Sequence, residues 1–193
     1  NMDFSKVSNK STYKLSRRHF LKFGILAAIV GASPFRSFAA IRNYSHLEKS
    51  LSFYNIHTGE SLNAVYWANG DYLPDVLNEI NYIMRDYRFN EIKPIDTRLL
   101  DLLYDIHSNL GTRQSFHIVS GFRCPATNTF LYKYTSGVDK NSLHMYGKAV
   151  DIRLPGHELS SLYQVAAGQK GGGVGYYPES EFVHIDVGKV HYW

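Results

Sequence analysis

Two segments carry residues whose types and spacing could do chemistry. One is Ser142-Leu-His144-Met-Tyr-Gly147-Lys-Ala149-Val-Asp151; the other, further on, is Phe182-Val-His184-Ile-Asp186. Imidazole nitrogens and carboxylate oxygens are zinc ligands, and a catalytic zinc takes three protein ligands and keeps one position open. Asp151 falls inside the apolar run Ala149–Leu154 and His184 inside Phe182–Val187. A carboxylate and an imidazole on core strands must be paired or must coordinate an ion, because burying either alone is costly. Gly147 permits a tight backbone between His144 and the strand that carries Asp151. Spacing alone leaves two readings open: a metal centre, or a hydrogen-bonded His–Asp pair without metal.

These residues need a scaffold, and the hydrophobic pattern supplies one. Leu51–His57 and Leu62–Trp67 alternate apolar and polar around Thr58-Gly59-Glu60-Ser61, which predicts a β-hairpin. Leu73, Val76, Leu77, Ile80, Ile83, Met84 and Tyr87 recur at helical spacing, predicting an amphipathic helix over 73–87. Asp96 can cap a second helix whose apolar face is Leu99, Leu100, Leu103, Ile106 and Leu110, with Gly111 just past its end. A strand (116–120), a helix (126–134), a strand (149–154), a helix (158–167) and strands at 174–177 and 182–187 follow. Helices first, then strands broken by short helices, predict an α+β fold with a mostly antiparallel sheet and flanking helices.

Composition narrows the function classes. The chain has 193 residues, 21 Lys+Arg, 17 Asp+Glu and one Cys. One Cys excludes an intramolecular disulfide and any Cys-based structural zinc site. The formal charge of +4 is misleading, because residues 1–39 hold seven Lys/Arg against one acid. The remainder is therefore net −2, and no basic patch argues for nucleic acid. Ser16-Arg17-Arg18-His19-Phe20-Leu21-Lys22, a short apolar stretch and Ser37-Phe38-Ala39 have the order of a secretory signal, and the paired arginines resemble a twin-arginine (Tat) address. The expected organisation is a signal peptide over 1–39, a connector over 40–50 and one folded domain over 51–193, which holds both motif segments. The mature form is expected to be periplasmic, without a membrane span, and monomeric.

Ser-x-His-x-x-Gly-x-Ala-x-Asp with a later His-x-Asp resembles the zinc peptidases grouped with D-Ala-D-Ala carboxypeptidases, lysostaphin-type enzymes and the hedgehog amino-terminal domain. Asn55-x-His57-Thr58-Gly59-Glu60-Ser61, Arg85-Asp86-Tyr87-Arg88, Ser120-Gly121-Phe122-Arg123 and Gly172-Gly173-Val174-Gly175-Tyr176-Tyr177-Pro178 narrow the resemblance to the murein endopeptidase K type. Phe182–Gly188 and Trp193 do the same, so the likeness covers the whole mature chain. It implies a hedgehog-like, D-Ala-D-Ala-peptidase-like fold and one zinc ion held by His144, Asp151 and His184. The implied substrate is the peptide stems of peptidoglycan, cleaved at cross-links between diaminopimelate residues.

Such hydrolysis needs a carboxylate to move a proton and a cation to meet negative charge. Asp186, two residues after His184 and on the same strand face, is the favoured carboxylate. Glu181 is the alternative, matching the Glu-x-x-His arrangement of D-Ala-D-dipeptidases, and it reaches the site only if the chain turns at Ser180-Glu181. Arg123 is assigned to a substrate carboxylate or the developing oxyanion, and Ser142 joins it on the substrate side. Gly171-Gly172-Gly173 lacks the Lys-Ser/Thr of a phosphate loop and reads as a tight turn beside the site. Cys124 and the histidines at 57, 107, 117, 157 and 191 are assigned to surface or core. The competing functions are a D,D-carboxypeptidase trimming terminal D-Ala and a non-catalytic zinc-containing module that binds the cell wall.

Overall fold

The computed structural model describes residues 48–193. The expected signal peptide (1–39) and residues 40–47 of the expected connector lie outside the described residues. The strands are β1 (Glu48–Asn55), β2 (Ser61–Ala68), β3 (Asp71–Tyr72), β4 (Phe116–Ser120), β5 (Ala149–Arg153), β6 (Gly173–Tyr177), β7 (Phe182–Asp186) and β8 (His191–Tyr192). The helices are α1 (Pro74–Ile83), α2 (Thr97–Leu110), α3 (Pro125–Tyr134) and α4 (Leu159–Gln169), with a 3-10 turn at Leu143–Tyr146. The strands form one sheet in the order β3-β2-β1-β4-β5-β7-β6-β8. The α+β class and mostly antiparallel pairing hold, but the sheet is mixed: β1 and β4 run parallel, as do β6 and β8.

Three details correct the sequence reading. Strand β1 starts at Glu48, inside the expected connector, because Lys49 pairs with Trp67 and its ammonium reaches Asp101 at 2.7 Å. Helix α1 stops at Ile83 rather than at 87: the Met84 carbonyl accepts from Phe122 N–H, and Asp86 bridges to Glu91 instead of continuing the helix. Tertiary contacts override helical spacing there. The short β3 and β8 are too brief for periodicity to reveal. Helix α2 follows its signals, with Asp96 accepting from Arg98 N–H at 3.0 Å and Gly111 ending it in the left-handed region.

The sheet has two unlike faces, since successive side chains on a strand alternate. Leu51, Phe53, Phe116, Ile118, Val150, Ile152, Val183 and Ile185 are buried in one core with Leu99, Leu100, Leu103 and Ile106 of α2 and Leu162 of α4. Asp151 and His184 alternate with these residues and so face the other way. Among the described residues no helix is long and apolar enough to cross a membrane.

Candidate metal centre and its cleft

His144 sits on the 3-10 turn. The Ser142 hydroxyl caps that turn by accepting from His144 N–H at 3.3 Å, and Gly147 ends it at φ 64°. A Cβ on Gly147 would lie 2.3 Å from the Pro94 carbonyl oxygen, so only glycine lets the chain pass there into β5. Asp151 and His184 are direct register partners on antiparallel β5 and β7. The motif halves, distant in sequence, are thus brought together by strand pairing.

His144 Nδ1 lies 2.7 Å from the Gly121 carbonyl and donates to it, which leaves Nε2 as the lone pair facing the site. That Nε2 is 3.2 Å from Asp151 Oδ1 and 3.2 Å from His184 Nδ1, while His184 Nδ1 is 2.8 Å from Asp151 Oδ1. One ligand atom from each of the three lies within 4.8 Å of the other two. Two imidazole nitrogens and a carboxylate oxygen crowded so closely need a cation among them, either a proton or a metal. A neutral His, a His oriented by an acid and a carboxylate form the donor set that suits zinc, with the cleft side left open.

The electrostatics agree. Burial works against the Asp151 charge, but His144, His184 and the Arg123 guanidinium outweigh it and hold the carboxyl well below the usual range. Burial pushes the His144 imidazole down, favouring the neutral, ligating form. Burial also opposes charge on His184, yet its hydrogen bonds to Asp151 and Asp186 carry it up to about 9.

Arg123 does more than wait for substrate. Its Nη2 bonds to Asp151 Oδ2 and lies 3.1 Å from His144 Nε2, and its Nε donates to Ser120 Oγ at 2.8 Å. Nη1 makes no hydrogen bond among the described residues. One edge of the fork fixes the ligand carboxylate and the other stays free. Ser142, expected on the substrate side, borders the cleft but uses its hydroxyl to hold the His144 turn.

The two expected carboxylates part company. Asp186 does share the site face: its Oδ2 lies 3.2 Å from His184 Nε2, and its Oδ1 accepts from Gly173 N–H at 3.0 Å and Gly188 N–H at 2.7 Å. It therefore stands behind the ring, on the side away from Nδ1, with both oxygens engaged. Glu181 does lie on a turn, at φ 55°, but its side chain is 76% exposed, pairs with Arg153 at 3.1 Å and does not line the cleft. The turn happens; the side chain points elsewhere.

A cleft of about 600 Å³ opens over His144, Asp151 and His184. Residues 135–139 and 141–143 line one part of it, and Tyr177, Phe182, Lys189, His191 and Trp193 line another. His191, assigned above to surface or core, is stacked on Trp193 with ring centroids 4.9 Å apart, and Trp193 is 5.4 Å from the His184 ring. Its closeness to Trp193 in sequence was the only signal available. The glycines of 171–175 earn their place sterically: a Cβ on Gly173 would lie 2.3 Å from Asp186 Oδ2, and one on Gly175 2.6 Å from the Trp193 indole. Cys124 is buried and caps α3, its sulfur accepting from Thr127 N–H, which agrees with a packing role.

The family model described as peptidoglycan L,D-endopeptidase MepK matches residues 43–193. The chain belongs to this family. The peptidoglycan L,D-endopeptidase MepK of Escherichia coli (strain K12) is 38% identical over 181 residues, covering 94% of this chain and 98% of that protein. That of Shigella flexneri is 38% identical over the same shares. The probable peptidoglycan L,D-endopeptidase MepK of Haemophilus influenzae is 35% identical over 179 residues, 92% of this chain and 95% of that one. No solved structure matches the chain. Every residue of the cleft, with His144, Asp151 and His184 among them, falls inside the segment that the MepK family model covers, and the twin-arginine segment falls before it.

Proposed function

We propose that the protein is a zinc-dependent peptidoglycan endopeptidase that hydrolyses the cross-link between two diaminopimelate residues. The observation that carries this reading is the His144–Asp151–His184 set on the floor of an open cleft in a MepK-family chain. The finer fold assignment, to the hedgehog and D-Ala-D-Ala-peptidase type, goes with it. So do export through the Tat route to the periplasm and action as a monomer.

His144 Nε2, one Asp151 oxygen and His184 Nδ1 would hold the ion. When bound there, zinc supplies Lewis-acid polarisation of the scissile carbonyl and acidifies the attacking water. The protein's own task is the proton, because hydrolysis adds oxygen to the acyl carbon and hydrogen to the departing amine. Asp186 keeps a proton on His184 Nε2 and so holds the ring with Nδ1 facing the site. Of the cleft's titratable groups, Asp186 is engaged on both oxygens and Asp139 on one, by Asn141 N–H, whereas the His191 ring makes no hydrogen bond among the described residues. His191, stacked on the Trp193 ring that lies 5.4 Å from His184, is the group assigned to take the proton and return it to the amine. Arg123 Nη1 and Lys189 are the cations available to the developing oxyanion and to stem carboxylates.

The test is digestion of purified sacculi by the mature domain, with mass analysis of the released muropeptides. Fragments split between diaminopimelate residues, lost on chelation and restored by zinc, are the expected result. Release of terminal D-Ala alone would instead establish the D,D-carboxypeptidase, and binding without any release the non-catalytic module.

A further inference from the structure

A small pocket of about 10 Å³ shares part of its lining with the cleft. Val119 and Arg123 line both, and His57, Tyr87 and Arg88 line the small pocket as well. The His57 and Tyr87 rings stack with centroids 4.1 Å apart and planes 17° apart. The Arg88 guanidinium carbon lies 4.4 Å from the Tyr87 centroid, within cation–π range. His57 Nε2 is 2.9 Å from the Val119 carbonyl, which ties this stack to β4.

The Arg88 loop is fastened to the segment that presents Arg123. Asp86 accepts from Arg88 N–H at 3.0 Å with one oxygen and from Cys124 N–H at 2.9 Å with the other. The Met84 carbonyl accepts from Phe122 N–H at 2.7 Å. A Cβ on Gly121 would lie 2.3 Å from that carbonyl oxygen, so the approach requires glycine. Two arginines leave this loop with different fates. Arg85 is buried and bonded to Glu60, Asn90 and the Tyr82 carbonyl. Arg88 is exposed, and its guanidinium makes no ion pair or hydrogen bond among the described residues.

A guanidinium pre-oriented on an aromatic face and lacking any internal carboxylate is ready to receive an external one, with little rotamer freedom left to lose. We infer that the exposed Arg88 guanidinium, held over Tyr87 on the loop fastened to the Arg123 segment, is a surface subsite for a free carboxylate of an anionic stem peptide, while Arg123 serves the cleft itself. The inference rests on the peptidoglycan reading and adds to it where the substrate lies. It makes Arg88 a binding residue outside the chemistry.

The experiment compares cross-linked muropeptide dimers with free carboxylates against the same dimers amidated by carbodiimide coupling. Arg88→Gln should raise KM for the free form by roughly five- to tenfold, the range of one exposed charge-assisted contact, with kcat within about twofold. The penalty for amidation should shrink in the variant by that same factor, and Arg88→Lys should recover part of the loss. Unchanged KM with equal amidation penalties in wild type and variant overturns the subsite. If the wild-type protein hydrolyses neither dimer, the endopeptidase reading is what fails. Fluorescence polarisation with a labelled L-Ala–D-Glu–diaminopimelate stem then decides the subsite: binding weakened roughly five- to tenfold by Arg88→Gln supports it, and equal binding overturns it.

Discussion

His184 and Asp186, two residues apart on one strand, meet through ring Nε2 and carboxylate Oδ2 at 3.2 Å. The contact lies on the side of the ring away from Asp151, so it directs His184 Nδ1 into the site instead of competing for it. Two backbone N–H groups fix the other Asp186 oxygen, which makes the acid a rigid support.

Replacing that support should therefore cost metal binding before it costs chemistry. Asp186→Asn should weaken zinc affinity by about ten- to a hundredfold, as removal of such partners does elsewhere. Glu181→Gln, which breaks only an exposed pair, should leave affinity and cross-link hydrolysis near normal. Competition with a chromophoric chelator, beside the sacculus assay, separates the two. A metal-loaded Asp186→Asn enzyme that is inactive would restore the acid to a direct role.

Zinc binding should strengthen with pH. His184 must give up the Nδ1 proton to ligate, and in the folded protein that imidazole titrates at about 9. Below that value each bound ion displaces a proton, so affinity should rise by up to about tenfold per pH unit until pH reaches about 9. Chelator competition between neutral and alkaline pH measures the slope; a flat profile would show that the proton is held elsewhere. His144→Ala and His184→Ala should abolish stoichiometric binding at every pH.

Gly173→Ala and Gly175→Ala should separate two parts of the site. The first places a methyl against Asp186 Oδ2, and so should disturb His184 and lower zinc affinity. The second places it in the Trp193 indole, which hydrogen-bonds Tyr177 at 2.8 Å, and so should reshape the cleft wall while the ion stays bound. Metal content and KM, measured together, check the distinction.

Far from the cleft, Asp101 ties α2 to three strands. It accepts from Lys49 at 2.7 Å, Tyr66 at 3.0 Å and Tyr72 at 2.6 Å. Burial raises its pKa, but these three donors outweigh burial and hold the carboxyl below its ordinary value. A depressed acid contributes stability that is present above its unfolded pKa, ~3.9, and is lost as pH falls through the folded value. Asp101→Asn should lower unfolding stability at neutral pH by about 1–3 kcal/mol and flatten the acid limb of the stability curve. Denaturant titrations across that range test both effects.

By itself the amino-acid order determined the capped α2 helix and the mostly antiparallel α+β fold, and it marked Asp151 and His184 as polar groups on core strands, which the family resemblance joined to His144. Each is legible because the signal is local or periodic: a cap directly before its helix, an alternation along one strand, or a charged or imidazole side chain in an apolar run. The tertiary structure decided what depends on direction and on partners far along the chain. Helical spacing carried through Met84 and Tyr87, yet the chain turns there because Phe122 and Cys124 offer hydrogen bonds that no local pattern encodes. Glu181 and Asp186 sit at similar distances from His184 in sequence, but a left-handed residue sends one to Arg153 and strand geometry keeps the other behind the imidazole. His191 joins the cleft only because β8 pairs parallel to β6, a long-range contact whose two residues are too few to leave a period. Spacing fixes which residues share a strand face; only packing fixes what each side chain on that face can touch.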